Sequence, residues 1–427
     1  MTMDNDKPFG TVLQDHPQVS FLKNTYHKIV HPDIELPKNF DGRLVWRNYL
    51  TPIRYQGYCG NCWAIATVTS FSDRLAIITN NENNTQLSSL NMTVCSDIIA
   101  PKPYYDPDII SQTNFIKHGE GACFGNTIYN ALRFLHVYGA LELFCSSKAS
   151  LQTRGYKYVN DYVTIRDVPN CQSLFGNDFD QCILKGVAAR YFRTKGHYTV
   201  ANDVEQIKRE IYQFGPVVSG FIIYDDFMNN YDGLSIYMGP SKDSKSSGGH
   251  AVRIVGWGEE VVNGENVSYW IIANSWGESW GLGGFFKMRM NISECELEKN
   301  VCAMIPDIPE IILPDYVKFV NIEEDEEKRA QFNVNPSTGY LSGTEEKIKK
   351  GLLKGQELPI YDKNKLIDFS TTYAAEILPY TRLFQSKAFI SISETNKSIV
   401  TYKNAFIIWL LLIIIFFGII LYKKFRK

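Results

Sequence analysis

The chain has 427 residues, of which 44% are hydrophobic and 21% are charged, and its formal net charge is −2 at pH 7. That length is ample for a two-lobed domain with further segments attached. The near-neutral charge argues against a nucleic-acid partner, and the sequence contains neither a tandem repeat nor a glycine-rich loop of the kind that binds phosphate.

The chain begins with a polar segment. Its first forty residues contain no apolar stretch typical of a secretory signal peptide, so none is predicted. Residues 1–35 are predicted to form a short N-terminal arm ahead of the first folded domain.

A pair of cysteines follows at a glycine-rich turn, in the sequence Gln56-Gly57-Tyr58-Cys59-Gly60-Asn61-Cys62-Trp63. Apolar residues then recur at helical spacing as far as Ile78, which predicts a buried helix with Cys62 in its first turn. The N–H groups and dipole at a helix N-terminus favour an anion, so this thiol is expected to ionise readily. Taken alone, the Cys-x-x-Cys spacing would also suit a redox pair or half of a zinc site.

Two apolar, strand-like segments further along carry a histidine and an asparagine. His250 opens the first, and Asn274 ends the second, just before Trp276. A cysteine nucleophile needs a nearby imidazole to accept its proton, and the imidazole needs a group that orients it. Cys62, His250 and Asn274 meet that need if the fold brings them together. Because no second close pair of cysteines or histidines has the spacing of zinc ligands, no metal is predicted, and no cofactor is expected.

These segments resemble the papain-like cysteine proteases, most closely the cathepsin B branch. The resemblance runs from about residue 36 to residue 306 and includes further stretches at residues 36–43, 72–74, 210–217, 224–227 and 283–287. It implies an α+β, papain-like fold with a helical lobe and a β-barrel-like lobe. It also implies a thiol endopeptidase acting on protein or peptide substrates. We predict that the protease domain spans residues 36–310.

The resemblance implies a role for each residue of the site. Cys62 would attack the scissile carbonyl, and His250 would hold the proton and then give it to the leaving amine. Asn274 would fix the tautomer of the imidazole, and Trp276 would shield that hydrogen bond from water. Gln56 would donate its side-chain amide to the oxyanion, together with the backbone N–H of Cys62.

The resemblance also assigns five positions to the substrate groove: Gly60, Gly125, Asn126, Trp276 and Asn300. Where the family usually has Cys-x-Gly-Gly, this chain has Cys123-Phe124-Gly125-Asn126. Asparagine tolerates unusual backbone angles but adds a side chain where the peptide should pass. Substrate docking at Asn126 is therefore expected to differ from that of the family.

Two further departures bear on specificity. Cathepsin B removes C-terminal dipeptides by means of a histidine pair in a loop, and residues 145–197 contain no such pair. Endopeptidase action is therefore expected. An ungapped alignment places Asn300 where cathepsin B has an acid that accepts arginine at the second residue before the cut. Apolar residues are expected to be preferred there instead.

Eight cysteines remain besides the nucleophile, which indicates an oxidising environment. The family's pattern implies a disulfide between Cys59 and Cys123.

Spacing leaves the pairing of the other cysteines open. We expect Cys95 to pair with Cys145 or Cys182. Cys295 is expected to be either free or joined to Cys302.

Residues 311–404 differ in character from the preceding chain. They mix prolines with an acidic run at 323–327 and a lysine-rich stretch near 347–350. This composition favours a stem with patchy structure over a small folded domain. Short apolar runs such as 311–313 could dock on the protease.

The last apolar segment, residues 405–422, reads AFIIWLLLIIIFFGIILY without a charge. Eighteen helical residues span about 27 Å, close to the thickness of the hydrocarbon core of a bilayer. The basic tail 423–427 completes the pattern of a single transmembrane helix, with a buried core helix as the alternative. The sequence thus predicts a protease anchored in a membrane.

Indications of the side of the membrane conflict. The lack of a signal peptide suggests a tail-anchored protein with its catalytic domain in the cytosol. The basic tail, the cysteines and sequons such as Asn91-Met92-Thr93 favour the opposite side. Orientation stays open, and a viral source, with the protease on a host or virion membrane, is one interpretation.

Two hypotheses concern activity. The arm is too short to resemble a full inhibitory propeptide, so we hypothesise control by location or by partial occlusion of the groove by the arm. The alternative to a protease is a catalytically inert binding or structural protein displayed on a membrane. The intact Gln56, Cys62, His250 and Asn274 argue against that alternative, and Asn126 is the feature in its favour.

Overall fold

The computed structural model describes residues 11, 27–57, 59–80, 85–96, 125–146, 158–159, 162–163, 171, 178–183, 186–309, 311–357 and 367–368. The chain divides into two compact units, Met1–Ala374 and Ala375–Lys427, and all of these residues belong to the first. None of the helices that they form is both long and apolar enough to cross a bilayer. The predicted span 405–422 lies outside the described residues.

One long helix and several short ones make up the helical structure of this part of the chain. The helices are α1 (Gly42–Val45), α2 (Cys62–Thr79), α3 (Ser89–Cys95), α4 (Ile128–Val137), α5 (Val204–Phe214), α6 (Asp225–Asn229), α7 (Glu323–Gln331) and α8 (Thr344–Lys349). Two 3₁₀ turns, Leu143–Ser146 and Leu297–Asn300, accompany them.

Helix α2 is buried along its whole length, on every face. Its apolar sequence explains this, because a helix that is apolar on most faces is stable only inside a core. It begins immediately after Asn61 and ends at Asn80, whose φ of 48° and ψ of 40° place it in the left-handed conformation that asparagine tolerates. The predicted buried helix with Cys62 in its first turn is confirmed.

In the part of the chain that the structure describes, strands form one large sheet and three small pairs. The strands are β1 (Lys28–Ile29), β2 (Phe40–Asp41), β3 (Ala140–Leu141), β4 (Tyr158–Val159), β5 (Tyr162–Val163), β6 (Tyr191–Phe192), β7 (Thr194–Val200), β8 (Val217–Tyr224), β9 (Ile236–Tyr237), β10 (Ser246–Val262), β11 (Glu265–Ala273), β12 (Phe285–Arg289), β13 (Cys302–Pro306), β14 (Ile311–Ile312) and β15 (Ile367–Asp368). The large sheet has the order β1-β7-β13-β8-β10-β11-β12-β9, with β2 beside β10, and is mainly antiparallel. Helices α2 and α4 pack against this sheet and α3 packs on α2, which gives the α+β fold that the sequence predicts.

The register of β10 sets the position of the candidate site. His250 lies opposite Phe221 of β8, and Arg253 lies opposite Ala273 of β11. Antiparallel strands bring the start of one beside the end of the next. His250, near the start of β10, and Asn274, which follows the end of β11, therefore lie at the same end of these two strands.

Two disulfides join pairs of described cysteines. Cys95 is bonded to Cys171, with 4.7 Å between their Cα atoms, and Cys145 is bonded to Cys182. The prediction that Cys95 pairs with Cys145 or Cys182 is therefore wrong. Spacing along the chain does not reveal that Cys171 lies next to Cys95 at the end of α3.

The other cysteines whose state is predicted from the sequence include one in a disulfide and one thiol. Cys59 is disulfide-bonded, while Cys123, its expected partner, lies outside the described residues. Cys295 is a buried thiol and is not joined to Cys302.

Residues 311–357 of the predicted stem contain two helices that pack against the protease domain. Asp325 of α7 forms a two-point ion pair with Arg133 of α4, with Nε–Oδ2 and Nη2–Oδ1 distances of 2.7 and 2.6 Å. Both side chains are at most 3% exposed. This contact fixes α7 to the C-terminal half of α4.

Aromatic and apolar side chains extend the same interface. The ring of Phe332 lies 5.1 Å from that of Tyr138 and 5.4 Å from that of Tyr191. Further along, Tyr340 and Leu353 form a small core with Ala188. Within the segment that the sequence assigns to a stem, residues 311–357 therefore contribute to the packed body of the protein.

Candidate active site

The first turn of α2 places a buried thiol beside strand β10. Cys62 is the first residue of the helix and has no exposed surface. The backbone N–H of Ala251, in β10, points at its Sγ at 3.4 Å. The sheet thus supplies a hydrogen-bond donor to the sulfur from the residue next to His250.

His250 and Asn274 form a buried hydrogen bond. His250 Nε2 lies 2.8 Å from Asn274 Oδ1, which also accepts from the backbone N–H of Ser275 at 2.8 Å. An amide oxygen only accepts, so the Nε2 of the imidazole carries the hydrogen. This tautomer leaves Nδ1 without a proton and able to accept one from a thiol.

Aromatic rings enclose this pair. The indole of Trp276 lies 4.9 Å from the His250 ring, tilted by 32°. Phe221 packs on the ring at 5.8 Å in an edge-on arrangement. His250 is only 1% exposed, and a hydrogen bond in such a dry setting is stronger than one in water.

Opposing influences act on the Cys62 thiol. Burial is the largest and raises its pKa. The charge of His250 and a hydrogen bond to it lower the pKa, and so do the Ala251 N–H and the Thr11 hydroxyl. Together they outweigh burial, so the pKa of Cys62 lies below its ordinary value of 9.0 and the thiolate is favoured.

Gln56 is held in place by the segment that carries Asn274. Its side-chain Oε1 accepts from the Ser275 hydroxyl at 2.7 Å, and its backbone N–H donates to the Ser275 carbonyl at 2.8 Å. Its Nε2 donates one hydrogen to the carbonyl of Cys59 at 3.0 Å. An amide nitrogen has two hydrogens, so a second remains for another acceptor.

A residue of the N-terminal arm occupies the space next to the thiol. The Thr11 hydroxyl lies 3.3 Å from Cys62 Sγ, and the Thr11 N–H donates to the Gly249 carbonyl at 3.2 Å. On the other side Thr11 forms a parallel β-bridge with Asn126. Thr11 therefore joins the two sides of the groove directly over the sulfur. No signal in the sequence singles out this threonine.

The Asn126 side chain forms hydrogen bonds at the start of α4. Its Oδ1 accepts from the Thr127 N–H at 2.8 Å and from Asn130 Nδ2 at 2.9 Å, and its Nδ2 lies 3.4 Å from the Ser96 hydroxyl. Its backbone takes part in the bridge to Thr11. Gly125, just before it, has a φ of 119°, which suits glycine. Gly60 is buried beside Cys59.

Asn300 is a buried neutral residue at the end of a 3₁₀ turn. Its Nδ2 donates to the carbonyls of Gly220 and Glu296 at 3.2 and 3.1 Å. The nearby acid Glu298 is bound elsewhere, because its Oε1 accepts from Trp270 Nε1 and from the Asn291 N–H, both at 2.9 Å. Glu298 is thus not available as a substitute for the acid absent at position 300.

Metal ligands do not cluster here. Within the described ranges, no group of three or more histidine, cysteine or acidic side chains is arranged to hold a metal ion. The chemistry that these residues offer is that of a thiolate with an oriented imidazole.

Comparison with known proteins agrees with the fold and with the class of a cysteine protease. The model of the papain family cysteine proteases matches residues 36–305. The chain therefore belongs to the papain family and is a cysteine protease. Its relatives include a cathepsin B-like cysteine proteinase of Schistosoma japonicum, 30% identical over 66% of this chain and 77% of that protein. Cathepsin B-like cysteine proteinase 4 of Caenorhabditis elegans is 31% identical over 66% of this chain and 79% of that protein.

A solved structure is also similar. Procathepsin B S9 from Trypanosoma congolense superposes with a TM-score of 0.52 at 25% identity, over 70% of this chain and 86% of that one. The papain-like α+β fold is thereby supported independently of the sequence motifs.

Proposed function

We propose that this chain is a membrane-anchored thiol endopeptidase in which Cys62 is the nucleophile and His250 carries the proton. The observation that supports this best is the continuous contact from the Asn274 amide through the His250 imidazole to a thiol of lowered pKa. A nucleophile, a base and a group that orients the base are the three parts that covalent catalysis by cysteine requires.

The reaction follows from these positions. The Cys62 thiolate adds to the scissile carbonyl, and the imidazolium of His250 gives its proton to the leaving amine as the C–N bond breaks. Water, deprotonated by the now neutral imidazole, then hydrolyses the thioester and releases the free thiolate. Asn274 keeps the imidazole in the required tautomer throughout.

The oxyanion formed in each step needs hydrogen-bond donors. We assign that role to the remaining Nε2 hydrogen of Gln56 and to the backbone N–H of Cys62. The two hydrogen bonds between Gln56 and Ser275 hold the amide in place before substrate arrives. Such preorganised donors typically contribute about 100- to 1,000-fold in rate each.

The proposals of internal cleavage and of a membrane anchor are supported by the sequence. Residues 145–197 lack the histidine pair that would capture a C-terminal carboxylate, which supports internal cleavage. The uncharged segment 405–422 supports a single membrane span. Release of the full chain from membranes by alkaline carbonate would contradict the anchor.

The decisive experiment is labelling of the full chain with a peptidyl epoxide, which reacts with an activated thiolate. We expect mass spectrometry to locate the adduct on Cys62, and Cys62→Ala to abolish both labelling and peptide hydrolysis. Cys295→Ala, which removes a buried thiol whose pKa is raised to about 12 by burial, is the matched control and should keep both. Absence of labelling in folded protein would favour either the inert scaffold or a groove closed by the N-terminal arm, and C-terminal dipeptides as the main product would refute endopeptidase action.

We further propose that the arm blocks the active site through Thr11. Replacing Thr11 with proline removes the N–H that donates to Gly249 and the hydroxyl at Cys62. Two lost hydrogen bonds of about 1 kcal/mol each predict about a tenfold or greater rise in the rate of Cys62 alkylation by iodoacetamide. Thr11→Ser keeps both groups and should leave that rate unchanged; equal rates for the two variants would exclude blockage at this residue.

A substitution in the arm tests this better than deletion of residues 1–35. The section of the arm nearest the domain is part of the fold, because β1 pairs with β7 and His31 is buried against Glu210 at 2.7 Å. Loss of that section would destabilise the protein as well as open the groove.

Asn300 is proposed to select apolar residues at the second substrate position before the cut. Asn300→Glu is expected to raise kcat/KM for a peptide with arginine there, relative to leucine, by about 10- to 100-fold, because a charge-assisted hydrogen bond becomes available. Asn300→Gln, neutral and of the same size as the glutamate, is the control and should not change the ratio. The proposal is wrong if the unmodified enzyme already cleaves the arginine peptide faster.

A further inference from the structure

The sequence Ser72-Asp73-Arg74 in α2 lies far from the thiol, yet all three side chains are completely buried. Asp73 follows Cys62 by eleven residues, which is three turns and about 16 Å along the helix. Nothing in the reaction proposed above uses this carboxylate, although burying a charge is costly unless it has partners.

Both oxygens of the Asp73 carboxylate are bound by other elements. Oδ1 accepts from the backbone N–H of Thr51 at 2.6 Å, and Oδ2 accepts from Arg253 Nη1. Arg253 Nη2 also donates to the Thr51 carbonyl at 3.0 Å, so Thr51, Asp73 and Arg253 are joined to one another by hydrogen bonds. All three residues are at most 2% exposed.

These three residues belong to the elements that carry three of the four candidate catalytic groups, Gln56, Cys62 and His250. Thr51 starts the segment that leads to Gln56, Asp73 lies on the helix that begins with Cys62, and Arg253 follows His250 by three residues in β10. We propose that Asp73 is a positioning residue for the active site, holding the Gln56 segment, helix α2 and strand β10 in fixed relation. This inference rests on the roles proposed above for those groups.

The geometry explains why one residue has this influence. Helix α2 touches β10 at its start, through the Cys62 sulfur and the Ala251 N–H, and again three turns later through Asp73 and Arg253. Two attachment points prevent the helix from tilting or rotating against the strand. Reactivity depends steeply on such placement, since an error of about 1 Å between reacting groups can lower a rate by about 100-fold.

The neighbouring residue offers a matched comparison. Arg74 is also fully buried and pairs with Glu210 at 2.6 Å, but its other bonds go to the carbonyls of Gly215, Pro216 and Met304. None of these belongs to the Gln56 segment or to β10. The Arg74–Glu210 pair therefore resembles the Asp73 pair in burial and charge, but not in the elements that it connects.

The test compares Asp73→Asn with Glu210→Gln in the full chain, by peptide hydrolysis well below the melting temperature of each variant. Both should lower the melting temperature. We expect Asp73→Asn to reduce kcat about 10- to 100-fold with KM changed less than about threefold, and to shift the pH profile of Cys62 alkylation. Glu210→Gln should leave kcat and the alkylation profile within about threefold of the wild type. Equal kcat losses in the two variants at matched stability would overturn the proposal.

A double variant protects the test against simple unfolding. Asp73→Leu with Arg253→Met replaces the buried charges by apolar side chains, a change that proteins often tolerate, but it cannot bond to Thr51. A folded double variant with reduced kcat supports the proposal, and one with wild-type kcat refutes it. If Cys62→Ala still hydrolyses peptides, the proposed catalytic site fails; if Cys62→Ala is inactive while Asp73→Asn retains full kcat, only the inference about Asp73 fails.

Discussion

Replacing His250 with alanine is expected to lower kcat for peptide hydrolysis by about 10⁴- to 10⁶-fold, because the thiolate and the leaving amine both lose their proton carrier. The same change is expected to raise the pKa of Cys62 relative to its value in the wild type. Burial, the largest influence, remains and raises the pKa, while the lowering by the His250 charge and hydrogen bond is lost. The pH dependence of Cys62 alkylation measures this shift.

The alkylation profile of folded His250→Ala tests whether the imidazole lowers the pKa of Cys62. In the wild type the alkylation rate should level off below pH 9, with an inflection that belongs to the Cys62–His250 pair. In folded His250→Ala the inflection should move to higher pH than in the wild type, because the lowering of the Cys62 pKa by His250 is lost. His27→Ala, at an exposed histidine, is the control and should change neither quantity. An unshifted inflection in His250→Ala would show that the imidazole does not stabilise the thiolate.

Asp325→Asn is expected to destabilise the protein by about 3–5 kcal/mol, measured as the free energy of unfolding in urea. The side chains of Asp325 and Arg133 are 2% and 3% exposed, so the substitution leaves a buried guanidinium without its counter-charge. The loss should also make the segment after residue 310 more susceptible to limited proteolysis, since α7 depends on this contact to stay on α4.

The same helix provides the control for this prediction. Glu324 pairs with Lys328 at 2.7 Å on the solvent side, where a salt bridge contributes only about 0.3–0.5 kcal/mol. Glu324→Gln should therefore be nearly neutral. Arg133→Met combined with Asp325→Leu should recover most of the stability, because no charge is left buried. A loss under about 1 kcal/mol for Asp325→Asn would mean that the extension is not held by this pair.

Much of the site was predictable from local sequence. The run of apolar residues after Cys62 predicts a buried helix beginning at the thiol, and the structure has that helix. The strand-like segments that contain His250 and precede Asn274 become β10 and β11, and their register brings the two side chains to 2.8 Å. These features follow from residue periodicity and from motif order, which a single chain displays directly.

Contacts between segments that are distant in the chain were less predictable from the sequence. Cys95 pairs with Cys171, which spacing did not indicate. Thr11 reaches the thiol from a polar arm in which no pattern marks it. Residues 311–357 have a composition that favours a stem, yet Asp325 and Phe332 attach them to the protease domain. In each case the partner is set by the path of the chain through space rather than by neighbours in sequence.

The chemical class could be predicted from the sequence, because the segments around Cys62, His250 and Asn274 resemble those of the papain-like cysteine proteases. How those groups are held depends on the packing of distant segments. The pKa of the Cys62 thiol depends on His250, Ala251 and Thr11, which all lie far from Cys62 in the sequence. Hydrogen bonds and charges act over a few ångströms, so only the packing of α2 against β10 determines which distant residues act on the thiol.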